Sequence, residues 1–174
     1  EEYGWMYQTQ HVTDEKIQYE QDIDGHKKSV MGKINYTVWS DVFVCPQCSE
    51  ELVYWNIAYK DKQPKEKLLC TNCNAQLNKI NLQRAWITNY DDALNEIVKQ
   101  TKRIPVLINY TVTKKTKQKR YEKTPDQYDL DLIKKTDEMK IKDWYPHKRM
   151  PRISRQERNI KFGITHVHHF YTKR

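Results

Sequence analysis

Glycine is nearly missing from this chain: four in 174 residues, at Gly4, Gly25, Gly32 and Gly163. No two stand close enough to build a G-x-G turn, so neither a dinucleotide-binding fingerprint nor a P-loop can be written anywhere in it. No apolar run approaches the roughly 18 residues needed to span a bilayer, and no charged-then-apolar signal peptide opens the chain. A cytoplasmic location is the expectation. A nucleophile-base pair and a distinctive carboxylate pair are also lacking, so if the chain belongs to an enzyme the catalytic centre is expected elsewhere.

Charge is plentiful and unevenly placed. The net charge is +8, yet residues 1–26 are acidic, with Glu1, Glu2, Asp14, Glu15, Glu20, Asp22 and Asp24 against Lys16 alone. From Lys99 to Lys123 the basic residues Lys99, Lys102, Arg103, Lys114, Lys115, Lys117, Lys119, Arg120 and Lys123 meet only Glu122. A second basic stretch holds Lys142, Lys148, Arg149, Arg152, Arg155, Arg158 and Lys161. Such stripes fit a phosphate-rich partner, and they also fit a merely solvated surface.

The cysteines carry the sharpest signal. All four fall in two C-x-x-C frames, Cys45-Pro46-Gln47-Cys48 and Cys70-Thr71-Asn72-Cys73. Each frame can turn two thiolates onto one ion, and two frames complete the four tetrahedral ligands that zinc prefers. A site closed by four thiolates keeps no position for water, so its role is structural. Thioredoxin-like redox chemistry would not need a second frame, and paired disulfides would need an oxidising compartment. Leu52 to Tyr59 alternates like a strand, so knuckle, strand, turn, strand, knuckle reads as a zinc ribbon.

Beyond the ribbon, Leu94, Ile97, Val98 and Thr101 share a helical face, predicting a helix from Asp91 that Pro105 ends. Val106–Val112 reads as a strand, Lys119–Lys123 as its return, and Lys114–Gln118 as the tip between them. A second helix is predicted from Thr124-Pro125-Asp126-Gln127, with Thr124 as cap, Gln127 completing a capping box, and Leu130, Ile133 and Leu132 on its buried side. It ends near Lys140. The fold class is therefore α+β: a four-cysteine zinc ribbon joined to a small mixed sheet or hairpin with two or three helices. The expected division is an acidic, partly mobile segment 1–33, a zinc-ribbon region 34–90, and an α+β region 91–174 that forms one compact unit with 34–90.

The pentapeptide INYTV occurs twice, at Ile34–Val38 and Ile108–Val112. Both copies are predicted to be strands, neighbours in one sheet, with Tyr36 and Tyr110 facing the core. Asn35 and Asn109 are expected to satisfy hydrogen bonds rather than read bases. His166, His168 and His169 have spacing that permits a metal, as a metal-dependent nuclease would require, but no carboxylate lies nearby in sequence.

Several strings resemble a known group. Gly4-Trp5-Met6-Tyr7, INYTVWSDVFVCPQC from Ile34, VLINYTV from Val106, KRYEKTPD from Lys119 and GITHVHHFYTKR from Gly163 are similar to large prokaryotic site-specific DNA methyltransferases of the amino-methylating class. Those enzymes use S-adenosylmethionine to modify adenine N6 or cytosine N4, in restriction-modification among other settings. The resemblance implies an internal segment of a larger enzyme, inactive alone. The Asp-Pro-Pro-Tyr hallmark and the phenylalanine-and-glycine cofactor motif of that class do not occur here, so no catalytic or cofactor-binding residue is carried over. What the resemblance implies is a target-recognition insertion on double-stranded DNA, partnered by the catalytic domain of its parent chain. The first candidates for DNA contact are Lys114, Lys115, Lys117, Gln118, Lys119 and Arg120, followed by Lys148, Arg149, Arg152, Arg155 and Arg158. The alternative is a structural module that braces the catalytic domain or a protein partner, for which exposed apolar surface near Trp39, Trp55 and Trp86 would speak.

Overall fold

The computed structural model describes residues 3–60, 62–78, 80, 82–140 and 142–171, apart from the side chain of Arg155. The chain is a mixed α+β protein, mostly strands, with three α-helices and several 3-10 turns among the described residues. It divides into two compact units, each assembled from separate stretches of sequence. Of the described residues, one takes those up to Val38 together with Pro105–Met139; the other takes Trp39–Ile104 and those from Lys140 to Tyr171. The expected boundaries at 33/34 and 90/91 do not coincide with this division.

The long strand Met31–Val44, whose first eight residues lie in the first unit, pairs antiparallel there with Gln8–Gln10 and neighbours the second long strand, Arg103–Lys114. Arg103–Lys114 returns antiparallel through Lys117–Lys123, so the expected basic hairpin is present, with a two-residue tip. The two INYTV copies are thus neighbouring strands. Ile34, Ile108, Tyr110 and Val112 pack with Val30 into one apolar cluster. Tyr110 is fully buried, but Tyr36 is 52% exposed, contrary to expectation. Tyr36 keeps the pleat face of Ile34, yet what covers the two tyrosines differs. The Tyr110 ring lies beside His11 and Tyr121, and its hydroxyl is within hydrogen-bond reach of His11 Nδ1 and accepts from the Val12 N–H at 3.2 Å.

The scarcity of glycine gives Gly32 meaning. A Cβ there would lie 2.4 Å from the Tyr110 ring and 3.3 Å from the Thr111 carbonyl oxygen, so only a hydrogen fits between strand and ring. The acidic stretch folds into two short hairpins, Val12–Thr13 with Lys16–Ile17 and Tyr19–Gln21 with Lys27–Ser29. Asp14 and Glu15 both take positive φ, the backbone of a two-residue turn whose twist matches its strands.

The second predicted helix exists, Gln127–Glu138, but its start lies two residues later than expected. Asp126 is the cap, and the reciprocal box is completed by Asp129, not Gln127. The reason is tertiary. Asp129 is fully buried, where its carboxylate accepts from the Thr9 hydroxyl at 2.5 Å and pairs with the Lys123 ammonium at 2.8 Å. That bond decides which turn becomes the first. The buried face is Asp129, Leu132 and Thr136, while Leu130 stays 43% exposed and Ile133 half-buried.

In the second unit the helix predicted from Asp91 is absent. Trp86–Asp91 and Glu96–Thr101 form an antiparallel hairpin instead. Asp91 Oδ1 accepts from the N–H groups of Ala93 and Leu94, and Asn95 takes φ 55°, which turns the chain back before a helix can propagate. The β-branched Ile97, Val98 and Thr101 then suit a strand as well as they suit a helical stripe. Leu52–Tyr59 is corrected too. Glu51–Val53 and Tyr59–Lys60 are strands, but between them runs the short helix Tyr54–Ala58, which turns the adjacent Ile57 and Ala58 inward. The basic stretch from Lys148 includes the short helix Glu157–Lys161.

Gly32→Ala is expected to destabilise the protein by about 1–3 kcal/mol, because the methyl overfills a packed contact. At Gly4 a Cβ meets nothing within 4 Å, and Gly4→Ala is expected to stay within about 0.5 kcal/mol. Urea unfolding of both variants checks the difference.

Candidate metal centre

The two C-x-x-C frames fold alike. Each sits at the tip of a short antiparallel hairpin in which the residue before the first cysteine pairs with the residue six beyond it: Val44 with Glu51, and Leu69 with Gln76. The Cys45 N–H donates to the Glu50 carbonyl at 2.9 Å and the Ser49 N–H to the Cys45 carbonyl at 3.0 Å. The second frame repeats this, with Cys70 N–H to Ala75 at 2.9 Å and Asn74 N–H to Cys70 at 3.1 Å. Ser49 and Asn74 hold matching positive φ of 61° and 58°. Two equivalent turns therefore present their sulfurs from equivalent positions.

The sulfurs converge. Cys45 Sγ is 3.8 Å from Cys73 Sγ, Cys48 Sγ is 3.7 Å from Cys70 Sγ, and all four lie within 4.8 Å of one another. With a zinc–sulfur distance of about 2.3 Å, the edge of a regular tetrahedron is about 3.8 Å. The donor set fits a tetrahedral ion such as zinc on geometry alone. Around it pack Phe43, Leu52, Ile57, Leu77 and Leu82. Cys45 and Cys70 are buried, and Cys73 is at the surface.

Electrostatics point the same way. Backbone N–H groups of Cys48 and Gln47 draw the Cys45 thiol down to about 7. At Cys73 the Ala75 N–H acts in the same sense, but burial and the three neighbouring sulfurs prevail and push the thiol up to about 12. One sulfur gives up its proton readily and another is held protonated by its neighbours. A divalent cation among them reverses that opposition, because it favours the thiolate at every position. The Asn72 N–H, 3.4 Å from Cys70 Sγ, aims a further dipole at sulfur.

The candidates for DNA contact occupy two places. Lys114, Lys115, Lys117, Gln118, Lys119 and Arg120 are all exposed at the free end of the first unit's hairpin. Register places Lys114, Lys117 and Lys119 on the face of Tyr110 and Val112, and Gln118 and Arg120 on the opposite face. The proximity of Lys114, Lys119 and Lys123 contributes, after burial, to holding the His11 imidazole below its ordinary range. Among the described residues, none of the hairpin's cations from Lys114 to Arg120 forms an ion pair. Lys148, Arg149, Arg152 and Arg158 are exposed in the second unit, and the side chain of Arg155 lies outside the described residues. Asn35 and Asn109 meet each other: Asn35 Nδ2 donates to Asn109 Oδ1 at 2.8 Å, and Asn109 Nδ2 to Glu122 at 3.2 Å.

The histidines do acquire a carboxylate. His168 and His169 lie on a 3-10 turn, not a strand, and both reach Asp91, 77 and 78 residues earlier. Spacing could not reveal that contact, since the local pattern around Asp91 reads as a helix start.

No protein-family model, curated protein or solved structure matches the chain. The four-sulfur geometry therefore stands on its own coordinates. No described helix is long and apolar enough to cross a membrane.

Stripping the metal with a chelator under reducing conditions is expected to unfold the region around both knuckles, read as lost amide dispersion for Phe43–Leu77. Zinc re-addition should restore it with proton release, seen as a buffer-dependent heat. Amide spectra unchanged by chelation would refute the structural role.

Proposed function

We propose that this chain is a zinc-stabilised DNA-recognition segment of a site-specific, S-adenosylmethionine-dependent DNA amino-methyltransferase, gripping duplex DNA near the target base. The single observation that carries the DNA contact is the hairpin tip. Lys114 and Lys117 stand directly opposite one another in register, Lys115 is at the turn, and Lys119 and Arg120 follow on the return strand. Like charges placed across a strand pair repel and weaken the hairpin. A polyanion relieves that repulsion, and each neutralised phosphate releases counterions to solution. The parent enzyme and the cofactor rest on the resemblance of the quoted strings.

The division of labour follows from the chemistry. A methyltransferase must take its target base out of the stack, so a separate element has to hold the backbone while the base is extruded. Lysines supply a sequence-independent grip. Gln118 and Arg120, on the other face of the same hairpin, have the side-chain chemistry to pair with adenine or guanine edges. The zinc keeps the knuckles folded without taking part in the reaction, because four thiolates complete its coordination.

A second reading has an observation of its own. Trp86, Tyr90 and Ile97 are 43%, 59% and 76% exposed on one face of the Trp86–Thr101 hairpin, which is apolar surface suited to a protein partner such as a catalytic domain.

Fluorescence anisotropy on a labelled duplex separates the two. The zinc-loaded chain is expected to bind with affinity that falls steeply with salt. The triple variant K114E/K115E/K117E should weaken binding on all sequences by about one to two orders of magnitude, and flatten the salt slope by about 0.9 for each phosphate that is no longer neutralised. An unchanged affinity would remove the hairpin from the interface, and no binding at low salt would leave the partner-bracing reading.

A further inference from the structure

The second unit holds another convergence of ligand atoms, apart from the sulfurs. His168 Nε2 is 2.7 Å and His169 Nε2 2.8 Å from the same atom, Asp91 Oδ2. The three side chains, His168, His169 and Asp91, are 15%, 3% and 8% exposed. Two imidazole nitrogens and one carboxylate oxygen form a donor set suited to a borderline metal ion.

We propose that Asp91, His168 and His169 bind a divalent transition-metal ion, with zinc as the natural occupant, at a site distinct from the four-cysteine centre.

The surroundings are built as such a site requires. The Asp91 carboxylate is oriented by its other oxygen, Oδ1, which accepts from the Ala93 and Leu94 N–H groups and leaves Oδ2 for the ligand. His169 Nδ1 lies 3.2 Å from both the Gly163 carbonyl oxygen and the Thr165 N–H, so the ring is held in place in either tautomer, and with a metal on Nε2 it would carry its proton on Nδ1 and donate to Gly163. Gly163 is itself indispensable to the arrangement. It holds φ +79°, and a Cβ there would lie 2.2 Å from the Lys99 carbonyl oxygen, so the histidine segment can approach the hairpin only through glycine. The Thr101 N–H to Phe162 bond at 3.2 Å and the Arg84 guanidinium 4.1 Å over the Phe162 ring dock that approach.

His168 Nδ1, the ring nitrogen that would not ligate, is buried and has no hydrogen-bond partner among the described residues, and a water is the usual companion of such an atom. In the hydrogen-bonded arrangement, two N–H groups compete for one carboxylate oxygen. A metal ion would replace both N–H contacts. Its ligands at about 2.0–2.1 Å would stand about 3.3 Å apart, so the rings need to retreat by only about 0.5 Å. Three protein ligands leave one tetrahedral position for water.

Cobalt is the probe that separates this site from the cysteines, because thiolate ligands give intense near-ultraviolet charge-transfer bands and nitrogen-oxygen ligands do not. The full chain, stripped and titrated with cobalt under reducing conditions, is expected to fill in two phases. One carries the thiolate bands; the other shows only weak visible bands. Zinc dialysis followed by metal analysis should return two equivalents. D91N, which retains the oxygen that caps Ala93 and Leu94, and H168Q should each lose the weak phase and one equivalent while the thiolate phase persists, which certifies that the variants are folded. A single equivalent in the parent chain, fully accounted for by the thiolate bands, overturns the proposal. So does a second equivalent that survives in both variants.

Discussion

Four sulfurs held within 4.8 Å of one another in an apolar cluster constrain everything around them. As thiolates they repel: two unit charges 4 Å apart cost about 4 kcal/mol at an effective dielectric of 20, and less nearer to water. The peptide dipoles of the two knuckles ease that cost at Cys45 but leave Cys73 strongly protonated. A divalent cation would relieve the repulsion while keeping every sulfur a thiolate. Phe43, Leu52, Ile57, Leu77 and Leu82 come from short strands and a five-residue helix, elements too small to order themselves. Their packing depends on the hairpins that end in the cysteines, so an ion held there and the local core would be one cooperative structure.

Two long strands run through the chain. Met31–Val44 ends one residue before Cys45, and Arg103–Lys114 ends at the basic tip. Each copy of INYTV lies in one of them. Their asparagines and Thr111 hydrogen-bond between the strands, which leaves them occupied rather than offered to a nucleic acid. The repeat marks a shared environment, the middle of neighbouring strands, and its two tyrosines diverge because only one is covered.

Buried aspartates provide the polar fastening in both units. Asp129 links the helix start to Thr9 and Lys123, and Asp91 links a hairpin turn to two histidines. In each case the carboxylate serves local backbone N–H groups and tertiary partners together. Removing one partner from such a group leaves a buried charge unmatched, which costs more than the interaction contributes when complete. These residues are therefore points of specificity as much as of stability.

The α+β class, the basic hairpin with its tip and the existence of the Gln127–Glu138 helix were legible in the sequence because each depends on signals a few residues apart, such as alternation or a capping carboxylate; the meeting of the two C-x-x-C frames and of the two INYTV strands was legible because a local pattern recurs, although the copies lie far apart in the chain. Long-range contact decided what failed. Asp91 became a turn, not a helix start, as its carboxylate was drawn to its own backbone and to histidines 77 and 78 residues away. Asp129, buried against Thr9 and Lys123, moved the helix cap from Thr124 to Asp126. Tyr110 found cover and Tyr36 did not. Local patterns determine which conformations a segment can adopt at little cost, whereas the choice among them, and the meeting of side chains remote in sequence, rests on which polar groups can be satisfied once the chain has closed on itself.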